Sequence, residues 1–529
     1  EAFEAIAICL LNAYCNSSHE QMLAQTLRKH FGDVFITTSS DIAPEFREYE
    51  RASTTVIAAT VQPIVSAYLS RFEDYLKRHN FDGQFTLMQS NGGRLPSIAM
   101  RNNPVTALFS GPAAGVMGAI RQAGLSGYRD LITFDMGGTS TDVALIHQLT
   151  PRISHANQID AYPLQVPQLD IHTIGAGGGS IAWVQPDGTL EVGPQSAGAM
   201  PGPACYQRGG TEPTISDANL MLGRLPTDRT LAGGLQLSKE ESEKAFEGLA
   251  EKLGEGSGSP VQLADGVLRI AVSKMAGAVR EVSVHRGFDP RDFALLGFGG
   301  AGPMHVFLVA EELSIPQVIV PRFPGHLSAL GQLLADLRHD FVVAWGGPLG
   351  EIEIDDLRTK AGAMRDESTA RLIDDGFGED RHEHTFALDM RYVGQSFTLS
   401  IPCDPLSTSW DELREAFHDR HEQTFGRADR HSDVELVNIR LFSLGLIDKP
   451  ALKFAAQEGG DPVIEMRRVW FGDDWTDCPI MDRTKMVAGE SYQAPMIIEE
   501  AGGTSVVPPG WPGNVHASGS LDCRRSYDD

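Results

Sequence analysis

Apolar and polar positions recur along this chain in two periods, and this pattern predicts a mixed α/β fold. Short apolar runs at residues 4–11 and 85–89 are typical of buried strands. Residues 54–77 repeat apolar positions with a helical period, and Ser53 before them predicts an N-cap. Amphipathic patterns predict two further helices, at residues 238–253 and 261–285.

The pattern changes near residue 348, which suggests a domain boundary. Beyond it, helix and strand patterns alternate, at residues 355–375, 385–392, 411–425 and 435–446. A chain of 529 residues is also too long for one hydrophobic core. We therefore predict three regions: the remnant of an N-terminal α/β region at 1–45, an α/β domain at 46–347 and a C-terminal α+β or β-rich domain at 348–529.

The stretch 131–145 places a glycine pair and a Thr/Asp-rich turn between two apolar runs, so it predicts a strand, a turn and a second strand. Gly137 and Gly138 let an anion approach the backbone, since no Cβ blocks it. The N–H groups of such a turn can bind phosphate oxygens. Thr139 and Thr141 would add hydroxyl donors.

Two aspartates, Asp135 and Asp142, flank this turn. A carboxylate does not face a phosphate directly, so the pair implies a divalent cation or a water molecule between itself and a nucleotide. The combination predicts ATP chemistry with both aspartates as catalytic candidates. The alternative is an ordinary tight hairpin, in which glycine serves turn geometry and aspartate serves local capping.

A second glycine cluster lies at residues 297–302, between a short apolar strand pattern and a helical pattern that begins at Met304. A strand, a bare turn and a helix start form a flat seat for a nucleoside or a phosphate. Gly297, Gly299 and Gly300 are therefore predicted to bind the nucleotide. Two stretches rich in small residues, at 110–119 and 324–334, predict helices that other helices can approach closely.

In this order, the four pieces resemble the connecting helices, the second phosphate loop and the adenosine loop of the actin, sugar-kinase and heat-shock chaperone ATPases. The chain is more closely similar to one family, the A subunits of ATP-dependent hydantoinases and 5-oxoprolinases, which also includes subunits of acetone and acetophenone carboxylases. The resemblance covers nearly the whole chain and rests on ordered motifs at 87–93, 110–115, 134–143, 172–180, 201–206, 216–219 and 297–303.

The resemblance implies an actin-like (ribonuclease H-like) ATPase domain that uses ATP with Mg²⁺ or Mn²⁺. It also implies phosphorylation of the oxygen of a cyclic amide, such as 5-oxoproline or a hydantoin, or of a ketone. A hydantoinase B-type subunit would then complete the hydrolysis or the carboxylation. A non-catalytic nucleotide-binding scaffold subunit is the alternative, because a fold alone does not fix a function.

Family members carry another Asp-x-Gly-Gly-Thr loop near their start, and no such loop precedes Leu131 here. We therefore expect the ATPase domain to be N-terminally incomplete and the chain as given to bind ATP poorly.

Two further sets of residues leave alternatives open. Asp170 and His172 alternate along a predicted strand, so they are either metal ligands or a structural hydrogen-bonded pair. Cys205 lies in a Gly/Pro-rich segment and either contacts substrate or is a small buried residue. Asp217 with Asn219 predicts a helix N-cap before residues 218–222. The Gly-x-Gly at 175–177 precedes a strand pattern, which excludes a Rossmann motif.

Composition narrows the choice of partners. The net charge of −26 argues against a nucleic-acid or anionic-membrane surface. No run approaches the roughly 20 apolar residues of a membrane span, so we predict a cytoplasmic protein. The six cysteines are scattered without a Cys-x-x-Cys pair, which argues against a structural zinc site and a disulfide framework.

Overall fold

The computed structural model describes residues 3–155, 157–231, 234–254, 256, 258–450 and 459–525. The chain forms two compact units whose segments interleave in sequence. Unit 1 comprises Glu1–Ser110, Ile153–Gln168 and Leu334–Lys449, and unit 2 comprises Gly111–Arg152, Leu169–Leu333 and Pro450–Asp529. Both units combine helices with sheets, so the predicted α/β class is confirmed. The contiguous division at residues 347 and 348 does not match the units, because the last part of the chain belongs to unit 2.

Unit 1 is built on a six-stranded sheet. The strands lie in the order Leu399–Cys403, His382–Tyr392, Val434–Gly445, Leu337–Pro348, Arg94–Pro96 and Thr86–Met88. Its helices are Ser18–His30, Ser39–Ile42, Glu48–Arg78, Ser97–Asn102, Ile354–Asp374 and Trp410–Phe425. Two small sheets pair Ala5–Ile8 with Phe35–Thr38, and Asn157–Ile159 with Tyr162–Leu164. Leucine and phenylalanine side chains of the last two helices, such as Leu357 and Phe417, are fully buried with the apolar residues of the sheet.

Unit 2 is built on a nine-stranded sheet. Its strands lie in the order Ile171–Ile174, Thr141–His147, Leu131–Met136, Ala294–Phe298, Gln317–Val320, Leu521–Arg524, Gly513–Val515 and Ser491–Tyr492, with Thr150–Pro151 beside the second. The strands Leu131–Met136, Ala294–Phe298 and Gln317–Val320 are parallel to one another. Neighbours on either side of these three are antiparallel. Parallel strands need a covered sheet, and the helices of the unit supply that cover.

The helices of this unit are Ser110–Leu125, Ile215–Met221, Lys239–Leu253, Pro260–Val282, Gly302–Leu313 and Leu327–Leu334, two of which extend one residue past its boundary. A separate sheet contains Val463–Phe471, Asp474–Asp482, Met496–Glu500 and Gly503–Val507, and a hairpin joins Ser180–Val184 to Leu190–Ser196. One more pair, Ile153–Ser154 with Gln168–Leu169, belongs to unit 1 apart from its last residue, Leu169. The helix Pro260–Val282 begins with a Ser259 capping box and buries a continuous apolar face in the core.

Two predicted helix starts are wrong. The helix predicted from residue 54 begins at Glu48, so Ser53 lies inside it and does not cap it. The helix near residue 216 begins at Ile215, and its N-cap is Thr214. Asp217 is the third residue of this helix and forms a capping box with Thr214, because its carboxylate accepts the backbone N–H of Thr214 at 2.9 Å.

The helix Glu48–Arg78 is the one helix within the described residues whose length and composition would allow it to cross a membrane. Its best 18-residue window has a mean hydropathy of 1.2 and is 33% buried. The sequence pattern predicted a helix here but did not identify it as a candidate membrane span. One such helix is weak evidence for a span, because core helices of soluble proteins meet the same criterion. Here the helix carries a fully buried Arg51 and contacts the strands Ala5–Ile8 and Tyr162–Leu164.

Candidate active site

The strand, turn and strand predicted at residues 131–145 are present, as Leu131–Met136 and Thr141–His147, which we call the Asp hairpin. The turn between the strands is closed by the N–H of Gly137, which donates to the carbonyl of Ser140 at 3.1 Å. Gly138 and Thr139 are exposed at the tip. No atom lies within 4 Å of a Cβ placed on Gly137 or on Gly138, so the tip of the hairpin faces open space.

The backbone N–H groups at the tip of this turn are free of partners among the described residues, whereas two of its carbonyl groups accept hydrogen bonds from another loop. The carbonyls of Gly137 and Gly138 accept the N–H groups of Gly178 and Gly179 at 3.0 and 2.6 Å. Within the described part of the chain, the N–H groups of Gly138, Thr139 and Ser140 donate to no protein acceptor. Successive free N–H groups in a turn form an anion-binding concavity.

A glycine loop at residues 175–179 supports this turn. A Cβ on Gly177 would lie 2.5 Å from the backbone nitrogen and carbonyl carbon of Thr139, which no real side chain tolerates. Thr141, predicted to bind the nucleotide, is fully buried, and its hydroxyl donates to the carbonyl of Ala176 at 2.5 Å. This hydroxyl therefore anchors the turn to the glycine loop and is not available to a ligand.

The two aspartates face each other at the base of the hairpin, because Asp135 and Asp142 are directly opposed across the two strands. Thr173 is opposite Asp142 on the next strand, and its hydroxyl donates to Oδ1 of Asp142 at 2.5 Å. The three side chains thus form a row across the sheet. Sequence reasoning missed Thr173, since only strand register places it beside an aspartate.

Neither aspartate has a cationic partner among the residues that the structure describes. Burial raises the pKa of Asp135 to about 7, and the charge of Asp142 adds to this effect. Burial also raises the pKa of Asp142, while the hydrogen bond from Thr173 opposes the shift. Two carboxylates without a cation, one of them holding its proton near neutral pH, are suited to a divalent metal ion or to proton transfer.

The second glycine cluster lies beside this pair, because Phe298 at the end of a parallel strand is opposite Asp135. Gly299 has φ +81° and packs so closely on the Asp135 carboxylate that a Cβ would collide with it. The N–H of Ala301 donates to the carbonyl of Met136 at 2.9 Å, and the helix Gly302–Leu313 begins there. Its positive end is therefore close to the Asp hairpin.

The three glycines predicted to bind nucleotide differ in their surroundings. A Cβ on Gly297 would lie 2.7 Å from Cβ of Val306, so this glycine serves the packing of the strand on the helix. Gly299 supports Asp135. Gly300 is exposed, with no atom within 4 Å of a Cβ, and is the member of the set that offers bare backbone to a ligand.

The structure argues against the predicted metal pair Asp170 and His172. Asp170 lies between two strands, and its carboxylate accepts a hydrogen bond of 2.9 Å from Arg286 and is 3.9 Å from Arg152. Two guanidinium groups repel a metal ion. Across the described ranges, no group of three or more His, Cys, Asp or Glu side chains is arranged to hold a metal.

The Gly/Pro-rich segment around Cys205 is ordered by one buried carboxylate. Asp217 accepts the N–H groups of Ala204 and Cys205, and the hydroxyls of Thr214 and Ser242, at 2.7 to 3.2 Å. Cys205 itself is fully buried, and burial raises the pKa of its thiol far above the usual range. Of the two interpretations left open, the buried residue fits and the substrate contact does not.

Known proteins share this architecture. The ATP-dependent caprolactamase of Pseudomonas jessenii superimposes with a TM-score of 0.88 at 35% identity, over 99% of this chain and 77% of that structure. Nucleotide-free acetone carboxylase superimposes with a TM-score of 0.78 at 26% identity, over 99% of this chain and 76% of that one.

Sequence relatives agree with the structural ones. The caprolactamase subunit alpha of Pseudomonas jessenii is 36% identical over 96% of this chain and 74% of its own length. The 5-oxoprolinase 1 of Arabidopsis thaliana is 31% identical over 96% of this chain and 41% of its own length. The hydantoinase/oxoprolinase family model matches residues 51–341, and the hydantoinase/oxoprolinase C-terminal domain matches residues 354–518. The resemblance inferred from the motifs is thereby confirmed, and this chain belongs to the hydantoinase/oxoprolinase family.

Proposed function

We propose that this chain is the ATP-dependent activating subunit of an enzyme that opens a cyclic amide, such as 5-oxoproline or a hydantoin. In this proposal unit 2 contains an actin-like ATPase fold, and the Asp hairpin is its phosphate-binding loop. Gly137, Gly138, Thr139 and the Gly299–Gly300 turn bind the nucleotide. The sheet order of unit 2, with an antiparallel hairpin followed by parallel strands, supports this fold.

One observation carries the proposal: three free backbone N–H groups lie at the exposed tip of a hairpin whose base holds two facing carboxylates. An ordinary tight hairpin requires neither the free donors nor the partly buried acid pair. Phosphoryl transfer requires both an anion cradle and groups that position a metal or a water, and little other chemistry from the protein.

The acid pair fits the divalent cation that ATP chemistry implies. Mg²⁺ in nucleotide enzymes is held by one or two carboxylates, and phosphates and waters complete its coordination. Asp135 and Asp142 would hold Mg²⁺ or Mn²⁺, and the ion would supply neutralisation of phosphate charge. Thr173 keeps Oδ1 of Asp142 engaged and so fixes the orientation of that carboxylate. Gly299 leaves room for Asp135 against the backbone.

The reason to phosphorylate a cyclic amide is chemical. An unstrained amide is a poor electrophile, whereas the imidate that forms when the amide oxygen takes the γ-phosphate and the amide N–H loses its proton is a better one. Water adds to the imidate carbon, the ring C–N bond breaks, and hydrolysis of the resulting acyl phosphate releases phosphate. The named activity of the caprolactamase relative, which is ATP-dependent, supports a lactam as the substrate class. That relative is a subunit alpha, which supports a partner of the hydantoinase B type for the hydrolytic step.

Activation of a ketone for carboxylation is the second candidate. Its support is the superposition on acetone carboxylase with a TM-score of 0.78. The same oxygen phosphorylation would make a ketone reactive, so both candidates use the same residues of this chain.

ATP hydrolysis by the full-length protein, co-purified with a B-type subunit, separates these possibilities. We expect ATP turnover to rise when 5-oxoproline, a hydantoin or caprolactam is added. A rise only with acetone or acetophenone in the presence of bicarbonate would assign the ketone reaction. Turnover that no substrate changes would identify a nucleotide-binding scaffold and contradict the proposal.

Stability should depend on pH through Asp135. The unfolded carboxyl has a pKa near 3.8, and the folded one about 7, so between these values the folded protein binds more protons. The free energy of unfolding should therefore fall with rising pH in this window, by roughly 1 kcal/mol per pH unit from this group. Urea unfolding of wild type and Asp135→Asn measures it. In the variant, the free energy of unfolding should fall less steeply with rising pH. Equal pH dependence in the two proteins would show that the pKa of Asp135 is not raised.

Gly300→Val should weaken ATP binding by roughly tenfold while the unfolding temperature stays unchanged. The new side chain enters open space above the turn, so it strains nothing in the protein but occupies the proposed seat. Calorimetric titration with ATP and Mg²⁺ measures the affinity. Wild-type affinity in a folded variant would show that this turn only begins a helix.

A further inference from the structure

Unit 2 contains a cavity of about 440 Å³ that none of the residues of the Asp hairpin lines. It is bounded by the segment around Gly223, the start of the helix Lys239–Leu253 and the hairpin that contains Arg468 and Trp475. Its volume is within the range of small-molecule sites. It shares no residue with the acid pair or with the glycine turn, so the proposed ATPase activity does not account for it.

The cavity is rich in positive charge. Three of its eleven lining residues are Lys or Arg, in a chain where 44 of 529 are. Lys239 and Arg468 form no ion pair with any residue in the described ranges. The lining carboxylates, Asp228 and Glu465, are both paired with Arg229, at 3.2 and 3.1 Å. Of the three cations, Arg467 is paired with Glu465 and Glu499, so Lys239 and Arg468 are the two that have no acidic partner in the part of the chain that the structure describes.

One guanidinium of the cavity is incompletely bonded. Nη2 of Arg467 contacts Glu465 and Glu499, but its Nη1 is buried and has no hydrogen-bond partner. An unsatisfied buried donor destabilises the folded state, and a charged one does so more strongly. An anionic oxygen in the cavity would satisfy it and would form a charge-assisted bond.

Lys239 is also in a place that helix stability does not explain. It is the first residue of its helix, where the backbone dipole disfavours a cation, and Glu240 and Glu241 follow it as expected for a first turn. Its exposed ammonium favours an anion nearby, although Ser238 already caps the N–H of Glu241 at this helix end.

The cavity also offers a flat aromatic wall. The guanidinium of Arg468 lies over the ring of Trp475, 5.8 Å from its centroid. Gly223, with φ +76°, brings bare backbone against this pair, and a Cβ there would collide with the carbonyl of Arg468. Such a layered arginine and tryptophan can take a further planar group by stacking.

We propose that this cavity binds a small organic anion, a phosphate monoester or a carboxylate carried on a planar ring. Lys239 and Arg467 contact the anionic oxygens, and the ring of the ligand stacks on the Trp475 and Arg468 layer.

The test is calorimetric titration at constant ionic strength with two probes, phenyl phosphate and benzoate. We expect at least one to bind, and the tighter probe identifies the anionic group that the cavity prefers. The double variant Lys239→Ala, Arg468→Ala should weaken binding by about tenfold or more. Lys244→Ala is the matched control, because Lys244 lies on the same helix outside the cavity and is paired with Glu241.

The control should bind the probe as wild type does. No binding of either probe to the wild-type protein would overturn the proposal, and so would equal affinity of wild type and double variant. Gly300→Val, which fills the proposed nucleotide seat without straining the protein, distinguishes this site from the glycine turn beside the Asp hairpin: unchanged probe binding supports the cavity, and loss of binding assigns the probe to the turn and refutes the cavity. Because the test measures binding of probes and not ATP turnover, failure of the proposed ATPase function leaves it intact.

Discussion

Replacing Asp135 with asparagine in the full-length protein is expected to lower ATP turnover by roughly a hundredfold or more, the size seen when one strong electrostatic contact is removed from an active site. Asparagine retains the shape of the side chain but cannot carry the charge that holds a metal ion or orients a water. The variant should fold normally, because the change removes a partly buried carboxyl that faces Asp142. Steady-state ATP hydrolysis with Mg²⁺ and thermal unfolding measure the two effects.

Asp187→Asn is the matched control for this substitution. Asp187 is an exposed aspartate in the turn of another hairpin of unit 2, and its Oδ1 accepts the N–H of Thr189 at 3.0 Å, as an asparagine also can. We expect this variant to hydrolyse ATP as wild type does. If Asp135→Asn retains wild-type turnover, Asp135 has no part in the reaction and the Asp hairpin loses its proposed role.

Gly177→Ala is expected to weaken ATP binding by roughly tenfold or more and to destabilise the protein by about 1 to 3 kcal/mol. The added methyl group would lie 2.5 Å from the backbone of Thr139, so the turn must move away from the glycine loop. Movement of the turn also breaks the two hydrogen bonds that hold the carbonyls of Gly137 and Gly138. The free N–H groups would then no longer converge.

The effect of Gly177→Ala should exceed what stability alone explains. Gly248→Ala provides the comparison, since this glycine lies in the helix Lys239–Leu253 with no atom within 4 Å of a Cβ. That variant should gain a few tenths of a kcal/mol or more and bind ATP normally. Nucleotide titration of both variants well below their unfolding temperatures decides the point. Normal ATP affinity in a folded Gly177→Ala protein would show that the glycine loop does not position the turn of the Asp hairpin for nucleotide binding.

Local chemistry made several elements predictable from the sequence. The Asp hairpin was found because a glycine pair between apolar runs leaves few alternatives to a tight turn. The helices Lys239–Leu253, Ile354–Asp374 and Trp410–Phe425 begin and end within a residue or two of the predicted limits, since apolar period and, for two of them, a serine N-cap are encoded locally. The nucleotide role of the hairpin remains a prediction.

Contacts distant in sequence decided what the pattern could not. The sequence leaves Asp170 as either a metal ligand or the partner of His172, whereas in the structure its carboxylate is paired with Arg286, 116 residues later. The helix Glu48–Arg78 extends past Ser53 because tertiary packing, which buries Arg51, overrides a local cap signal. The residues that make these contacts are distant in sequence, so a local pattern does not include them.

The sequence by itself determined the α/β class, most of the longer helices, several strands and the glycine turns, because each depends on residues close together in the chain, and it determined the family through the order of its motifs. Only the tertiary structure decided the interleaved units, in which Leu521–Arg524 pairs with Gln317–Val320. It also decided the row of Asp135, Asp142 and Thr173, and the separate cationic cavity. These depend on strand register and on long-range packing, which a one-residue shift in pairing would abolish and which no local pattern records.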